Sequence, residues 1–341
     1  MNSLEYREWV SKHVEIGKEV LYLTRDECVN IGLTEEDILE LTEKALVAHG
    51  KKNVEMPAKI GLHPLKDTLM HAMPAYIPEV FACGIKWGAC FPANRERFGL
   101  NQTSVLLVFN DSESGWPLAI MDASWITEKR TPAVSVIAAK YLAKADAKTF
   151  GMIGCGVQGR AHVKVISHVL RGLEKIYIYD VYRPAMDRLV EDLQPEVEAE
   201  IIKAGSYEEL AKNSEVIASA AIISAKPEPK IKDEWISKGQ TIIMCDCHSL
   251  YEDVTMKRAD KYLCDSIEQH ELLIGYGYYP YGLPEIYGET GEVVAGLKKG
   301  RETNDELIVC NNVGMAVEDM MMARAVFDRA LQKGVGRKLP L

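Results

Sequence analysis

The feature that most constrains this chain is the run Gly154-Cys155-Gly156-Val157-Gln158-Gly159, set between a strand-like TFGMI and a segment of helical character. Three glycines at this spacing are weak evidence alone, because glycine-rich turns arise by chance. Here an acid, Asp180, closes the next strand-like run, IYIYD, 21 residues beyond Gly159. Strand, glycine turn, helix, strand and acid in that order form the fingerprint of a βαβ unit that binds a dinucleotide. Gly154 permits the tight turn, Gly156 lets backbone amides reach a pyrophosphate, and Gly159 lets the helix pack closely on the strand. The helix start at Val157 and Gln158 then offers N–H groups and a positive dipole end to the phosphates. Asp180 is expected to accept hydrogen bonds from the ribose hydroxyls and to repel a 2′-phosphate, so NAD is favoured as cofactor over NADP. Arg183, three residues further on, is placed to offset part of that repulsion.

From about 149 onward strands and helices alternate. Strands are expected at 149–154, 175–180, 200–203, 215–219, 241–245 and 261–264, with helices at 158–171 and 184–193. Such alternation builds a parallel sheet covered by helices on both faces. Residues 55–125 are strand-like in a different way, with runs at 104–109 and 117–121 flanking a turn-rich 110–115 that suits a hairpin. Further helices are expected at 34–49, capped by Thr34, at 130–144, and at 313–333, ending before Gly334. The last has a Met-rich face suited to core or interface packing. The fold class is therefore α/β: a Rossmann-type doubly wound parallel sheet plus a smaller α+β domain, as a length of 341 residues allows.

Charge and apolar pattern exclude other classes. A net charge of -10 speaks against a nucleic-acid partner, whose phosphates demand a basic surface. No apolar run approaches the roughly 18 residues of a membrane span. The N-terminus lacks the apolar stretch of a secretory signal, so a cytoplasmic protein is expected. Eight cysteines without a CxxC pair suggest buried reduced thiols, and neither a zinc site nor a disulfide framework.

Residues 122–142, DASWITEKRTPAVSVIAAKYL, followed by GCGVQG, resemble the ornithine cyclodeaminase/mu-crystallin family. The family pattern is an Asp-Gly-like step, Thr-x-x-Arg-Thr, a helix, then Gly-x-Gly-x-Gln; Thr127, Arg130, Thr131, Gly154, Gly156 and Gln158 match it. Met73-Pro74-Ala75-Tyr76, Lys86 and Ser114-Gly115-Trp116-Pro117 are similar to the family's first domain. Gly288-Glu289, Gly300-Arg301, Asp305-Glu306 and 314–319 are similar to its C-terminal stretch. The resemblance implies a homodimer and a bound dinucleotide. It also implies a discontinuous substrate-binding and dimerisation domain, 1–128 with 312–341, around a Rossmann NAD-binding domain at 129–311. The substrate it implies is a small amino or imino acid, with nitrogen and carboxylate on neighbouring atoms.

Such a substrate needs cations, because a desolvated carboxylate is costly unless paired. By the resemblance, Arg130 is the carboxylate-binding arginine and Lys86 the strand lysine. Lys59 stands where many members carry arginine, and Met73 belongs to the same pocket. Asp246, just past an apolar strand, matches the aspartate assigned to the amino group and to acid–base work. His71 replaces a glutamate that, in ornithine cyclodeaminases, helps hold the substrate's amino group; an imidazole binds a second ammonium poorly. It is placed either to titrate near neutrality or to hydrogen-bond a keto or imino group. Thr103, Arg130, Thr131 and Ser219 join the glycine turn, Asp180 and Arg183 as cofactor contacts. Ser219 is the weakest, because the family's usual threonine is replaced within 219–222. The five tyrosines of 275–287 suit either a lid or an interface loop.

The activity expected is NAD-dependent hydride transfer at the alpha carbon of an amino or imino acid. One alternative is ornithine cyclodeamination, with NAD recycled within the turnover. The other is a non-catalytic, mu-crystallin-like dinucleotide-binding protein.

Overall fold

The computed structural model describes residues 1–221, 228–247 and 250–341. The chain divides into two compact units, Met1–Arg130 with Met315–Leu341, and Thr131–Gly314.

In the first unit the strands are β1 (Glu19–Leu23), β2 (Ile60–Leu62), β3 (Leu69–Ile77), β4 (Ala82–Cys90), β5 (Thr103–Asn110) and β6 (Pro117–Asp122). They join the C-terminal strand Arg337–Pro340 in one mixed sheet, ordered C-terminal strand, β1, β6, β5, β4, β3, β2. From β2 to β6 every neighbour is antiparallel, as short connections between sequential strands require. Register aligns Met73, Lys86, Leu107 and Met121 across four strands, and all four are buried. A lysine thus sits in the apolar face of a sheet.

That face is covered by helix Ala316–Lys333, which packs on β3, β4 and β5 and against helix Glu35–Gly50. Met320, Met321 and Met322 are buried in this core, and Gly334 ends the helix at φ 64°. Thr34 starts the partner helix through a capping box, its hydroxyl accepting from the Asp37 amide at 3.1 Å while Asp37 Oδ2 accepts from the Thr34 amide at 3.0 Å.

In the second unit the strands are β7 (Thr149–Ile153), β8 (Lys175–Tyr179), β9 (Glu200–Lys203), β10 (Val216–Ser219), β11 (Thr241–Met244), β12 (Lys261–Cys264), β13 (Gly288–Glu289) and β14 (Ile308–Asn311). All pair in parallel, in the order β13-β12-β14-β11-β10-β7-β8-β9. The chain winds outward from β7 in both directions, so the strand order reverses between β7 and β10. Open α/β sheets bind ligands at the carboxyl ends of the strands beside such a reversal.

Three helix boundaries differ from expectation. The helix placed at 130–144 runs Ser124–Leu142, with Pro132 in its interior. Asp122 starts it, Oδ1 accepting from the amides of Ser124 and Trp125 at 3.1 and 3.3 Å. Trp125 and Ile126 in its first turn are buried. The helix placed at 158–171 stops at Val165 and continues as a 3-10 turn, Ile166–His168, where branched residues crowd the backbone. The last helix begins at Ala316 rather than 313. Among the described residues no helix is long and apolar enough to cross a membrane. Five cysteines are buried, whereas Cys83, Cys90 and Cys245 are half-buried.

Candidate active site

The glycine turn and the acid expected to hold a dinucleotide stand at the C-terminal edge of the parallel sheet. Gly154 follows β7 at φ 92°, a conformation that favours glycine. Gly156 stands at the N-cap of helix Val157–Val165 with no side-chain cap, leaving the first amides of that helix for a ligand, and a Cβ on it would meet open space. A Cβ on Gly159 would collide with the carbonyl oxygen of Gly154, so close helix–strand packing excludes one. The residue set suits a bound dinucleotide. Val157 is exposed on the first turn.

Asp180 closes β8. Its Oδ2 accepts from the Cys155 amide at 2.7 Å and its Oδ1 from the Tyr182 amide at 2.8 Å. Each oxygen keeps a further lone pair for a ribose hydroxyl. Arg183 is used differently from expectation. It donates from Nη1 to the Ala204 carbonyl at 3.2 Å and from Nη2 to the Gly205 carbonyl at 2.8 Å, and it lies over the Tyr179 ring. Those bonds fix it to the backbone after β9 and occupy two of its donors.

Asp246, past β11, is fully buried. Its Oδ1 accepts from Ser219 Oγ at 3.0 Å and its Oδ2 from the Ala221 amide at 2.9 Å. Burial pushes its carboxyl up to about 6, against the opposing hydrogen bonds from Ala221 and Ser219. Ser219 thus orients the acid, where a cofactor contact was expected of it. Ile222 lies outside the described residues.

Sequence reasoning missed the brace behind Asp246. His162 Nε2 lies 2.9 Å from Ser135 Oγ, which lies 3.3 Å from Cys245 Sγ. His162 Nδ1 donates to the Gln158 carbonyl within the same helix at 2.8 Å, and its Nε2, through Ser135 Oγ and 3.8 Å from Cys245 Sγ, ties the glycine-turn helix to the end of β11. Burial pushes this imidazole down to about 4, so it stays neutral. A histidine in a helix carries no local sign of such a partner.

The tyrosine-rich stretch is anchored in the same unit. Tyr279 is buried against Cys247 and Leu273, and its hydroxyl accepts from Asn311 Nδ2 at 3.1 Å. Tyr281 stays exposed.

The residues expected to bind substrate lie in the first unit, except Asp246. Lys86 Nζ is 2.5 Å from Asp319 Oδ2. Arg130 donates from Nε to Asp319 Oδ1 at 3.2 Å and from Nη1 to Glu318 Oε2 at 2.9 Å. All four groups are buried. Burial pulls the Lys86 ammonium down to about 8, and the neighbouring Asp319 carboxylate holds it from falling further. Met73 is the cross-strand neighbour of Lys86, and buried Lys59 is close enough to depress both Lys86 and His71.

His71 lies on the face of β3 that carries Met73, with its ring over Gly61. Burial first, then Lys59, His63 and Lys86, push it down to about 3. It does not titrate near neutrality, because a proton there would add a positive charge to a group of cations. A neutral ring whose buried Nε2 lacks a hydrogen-bond partner remains. Thr103, expected at the cofactor, is exposed on β5 in the first unit, while Thr131 opens the second. Glu318 and Asp319 were visible only as part of 314–319, since acids in a helix's first turn are ordinary.

The chain belongs to the ornithine cyclodeaminase/mu-crystallin family, which it matches over residues 21–334. It is 31% identical over 329 residues to the alanine dehydrogenase of Archaeoglobus fulgidus, covering 94% of this chain and 98% of that protein. Among solved structures it resembles the Δ1-pyrroline-2-carboxylate reductase of Thermococcus litoralis in complex with NADH and L-proline, with a TM-score of 0.82 and 28% identity over 93% of this chain and 99% of that one. An archaeal alanine dehydrogenase dimer with bound NAD gives a TM-score of 0.83 and 29% identity over 94% of this chain and 99% of that one.

Proposed function

We propose that this protein is an NAD-dependent oxidoreductase that moves a hydride to or from the nitrogen-bearing carbon of a small amino or imino acid. The observation that carries this reading is a pair of buried cations, Lys86 and Arg130, in a chain whose dinucleotide sheet ends in a buried acid, Asp246. Arg130 and Lys86 grip the substrate carboxylate with charge-assisted hydrogen bonds, and Lys59 adds positive potential. Asp246 takes a proton from the amine nitrogen during oxidation and returns one during imine reduction. NAD, when bound, supplies the hydride acceptor or donor. Ornithine is disfavoured, because Lys59, His63 and Lys86 surround His71 where a second ammonium would sit.

The test follows NADH absorbance with NAD plus L-alanine or L-proline, and with NADH plus pyruvate and ammonium or Δ1-pyrroline-2-carboxylate. Turnover with none of them would refute the reading. Ornithine giving proline and ammonia without net NADH would move it to the lyase. The pH dependence is fixed in sign. Amine oxidation needs Asp246 as carboxylate and Lys86 as ammonium, so kcat/KM rises as pH climbs through about 6 and falls as it passes about 8. A profile flat across both values would remove these two groups from the mechanism.

The same reading makes the protein a homodimer, as the alanine dehydrogenase neighbour is a dimer. Ile60, Ala72, Trp87 and Leu106 form one row across the outer face of the first sheet. Ile60 is 65%, Trp87 38% and Leu106 48% exposed, an apolar row that a partner would cover. Light scattering is expected to give twice the 38.1 kDa chain mass, and Trp87→Glu to give monomer. A monomeric wild type would refute this part.

A further inference from the structure

Four charged groups share one buried site in the first unit, and the two acids are as much a part of it as the two cations. Asp319 receives Lys86 on Oδ2 at 2.5 Å and Arg130 on Oδ1 at 3.2 Å, so one rigid carboxylate ties both cations together. Glu318 reaches Arg130 at 2.9 Å. Buried ions are costly, and each cation here is matched by an acid before any ligand arrives. A Lys side chain has several rotatable bonds, and without a fixed anion its ammonium would sample many directions.

We propose that Asp319 is the positioning residue of the substrate-carboxylate site: it holds Lys86 and Arg130 convergent and keeps Lys86 protonated, so that an incoming carboxylate meets two preset cations. The inference rests on the reading under Proposed function. Lys86 Nζ carries three donors and Asp319 takes one direction, so a second anion can be received without breaking the first pair.

The test compares Asp319→Asn, Asp319→Glu and Glu318→Gln in the full-length protein. Asp319→Asn is expected to raise KM for the amino or imino acid at least about tenfold, the scale of a lost charge-assisted bond, with a smaller change in kcat. Its alkaline limb is expected below the wild-type value of about 8, because the carboxylate that holds the proton on Lys86 is gone. Glu318→Gln is expected to raise KM without moving that limb, since Glu318 pairs with Arg130 and the proton on Lys86 is held by Asp319. Asp319→Glu keeps the charge and displaces it by a methylene, so the limb stays and KM rises; this arm decides the matter if the Asn variant fails to fold. Unchanged KM and limb in Asp319→Asn, or a limb displaced equally in all three variants, would overturn the proposal. If the wild type turns nothing over, the functional reading fails by itself. Calorimetric binding of L-proline or pyruvate then carries the comparison, equal affinity in wild type and Asp319→Asn refuting Asp319's role.

Discussion

Asp246→Asn is expected to lower turnover by about 100-fold or more, the range typical of a lost acid–base group, while NAD affinity stays nearly unchanged. The substitution preserves shape, so the effect isolates the proton. The new carboxamide can keep its oxygen toward the Ala221 amide and turn its NH2 group to Ser219 Oγ, because a hydroxyl both accepts and donates. What it cannot do is exchange a proton with the substrate. The wild-type carboxyl, lifted to about 6 by burial, stays near enough to neutrality for both of its forms to be reached in a catalytic cycle. Steady-state NADH absorbance and fluorescence titration with NAD measure the two quantities separately. Wild-type turnover in the variant would remove Asp246 from the chemistry.

Gly159→Ala and Gly156→Ala are expected to impair NAD binding for different reasons. In the first variant the added Cβ would overlap the Gly154 carbonyl, a backbone group that moves only if the turn opens. The loss is about 1–3 kcal/mol of stability, the usual cost of overpacking, together with NAD affinity reduced about tenfold or more. At Gly156 nothing lies within 4 Å of the added carbon, so the melting temperature stays at the wild-type value. That carbon still occupies the space through which a pyrophosphate approaches the helix amides, and affinity falls without loss of stability. Equal melting temperatures for both variants would contradict the packing role of Gly159. Undiminished NAD affinity in Gly156→Ala would contradict the phosphate-binding role of the turn.

Much of the cofactor half was legible because its logic is local. A glycine turn, the helix it opens and the acid closing the next strand span 27 residues, from Gly154 to Asp180, and each is constrained by its near neighbours. The resemblance carried Lys86, Arg130 and Asp246 as single positions without saying what holds them. Their partners were hidden by distance: Arg130 bonds Asp319 across 189 positions, and Glu318 across 188. Likewise the bond from Ser219 to Asp246, across 27 positions, was not legible in the sequence.

The sequence by itself determined the alternation of strands and helices, the parallel sheet and the glycine turn, and it carried the expectation of NAD, since periodicity and backbone freedom are properties of adjacent residues. Only the tertiary structure decided which charges meet. It buried His71 and set it among cations so that it stays neutral, fixed Arg183 to the carbonyls of Ala204 and Gly205, and put Asp319 between Lys86 and Arg130. Ionisation depends on burial and on charges a few ångströms away, and those neighbours are brought together by folding rather than by order along the chain.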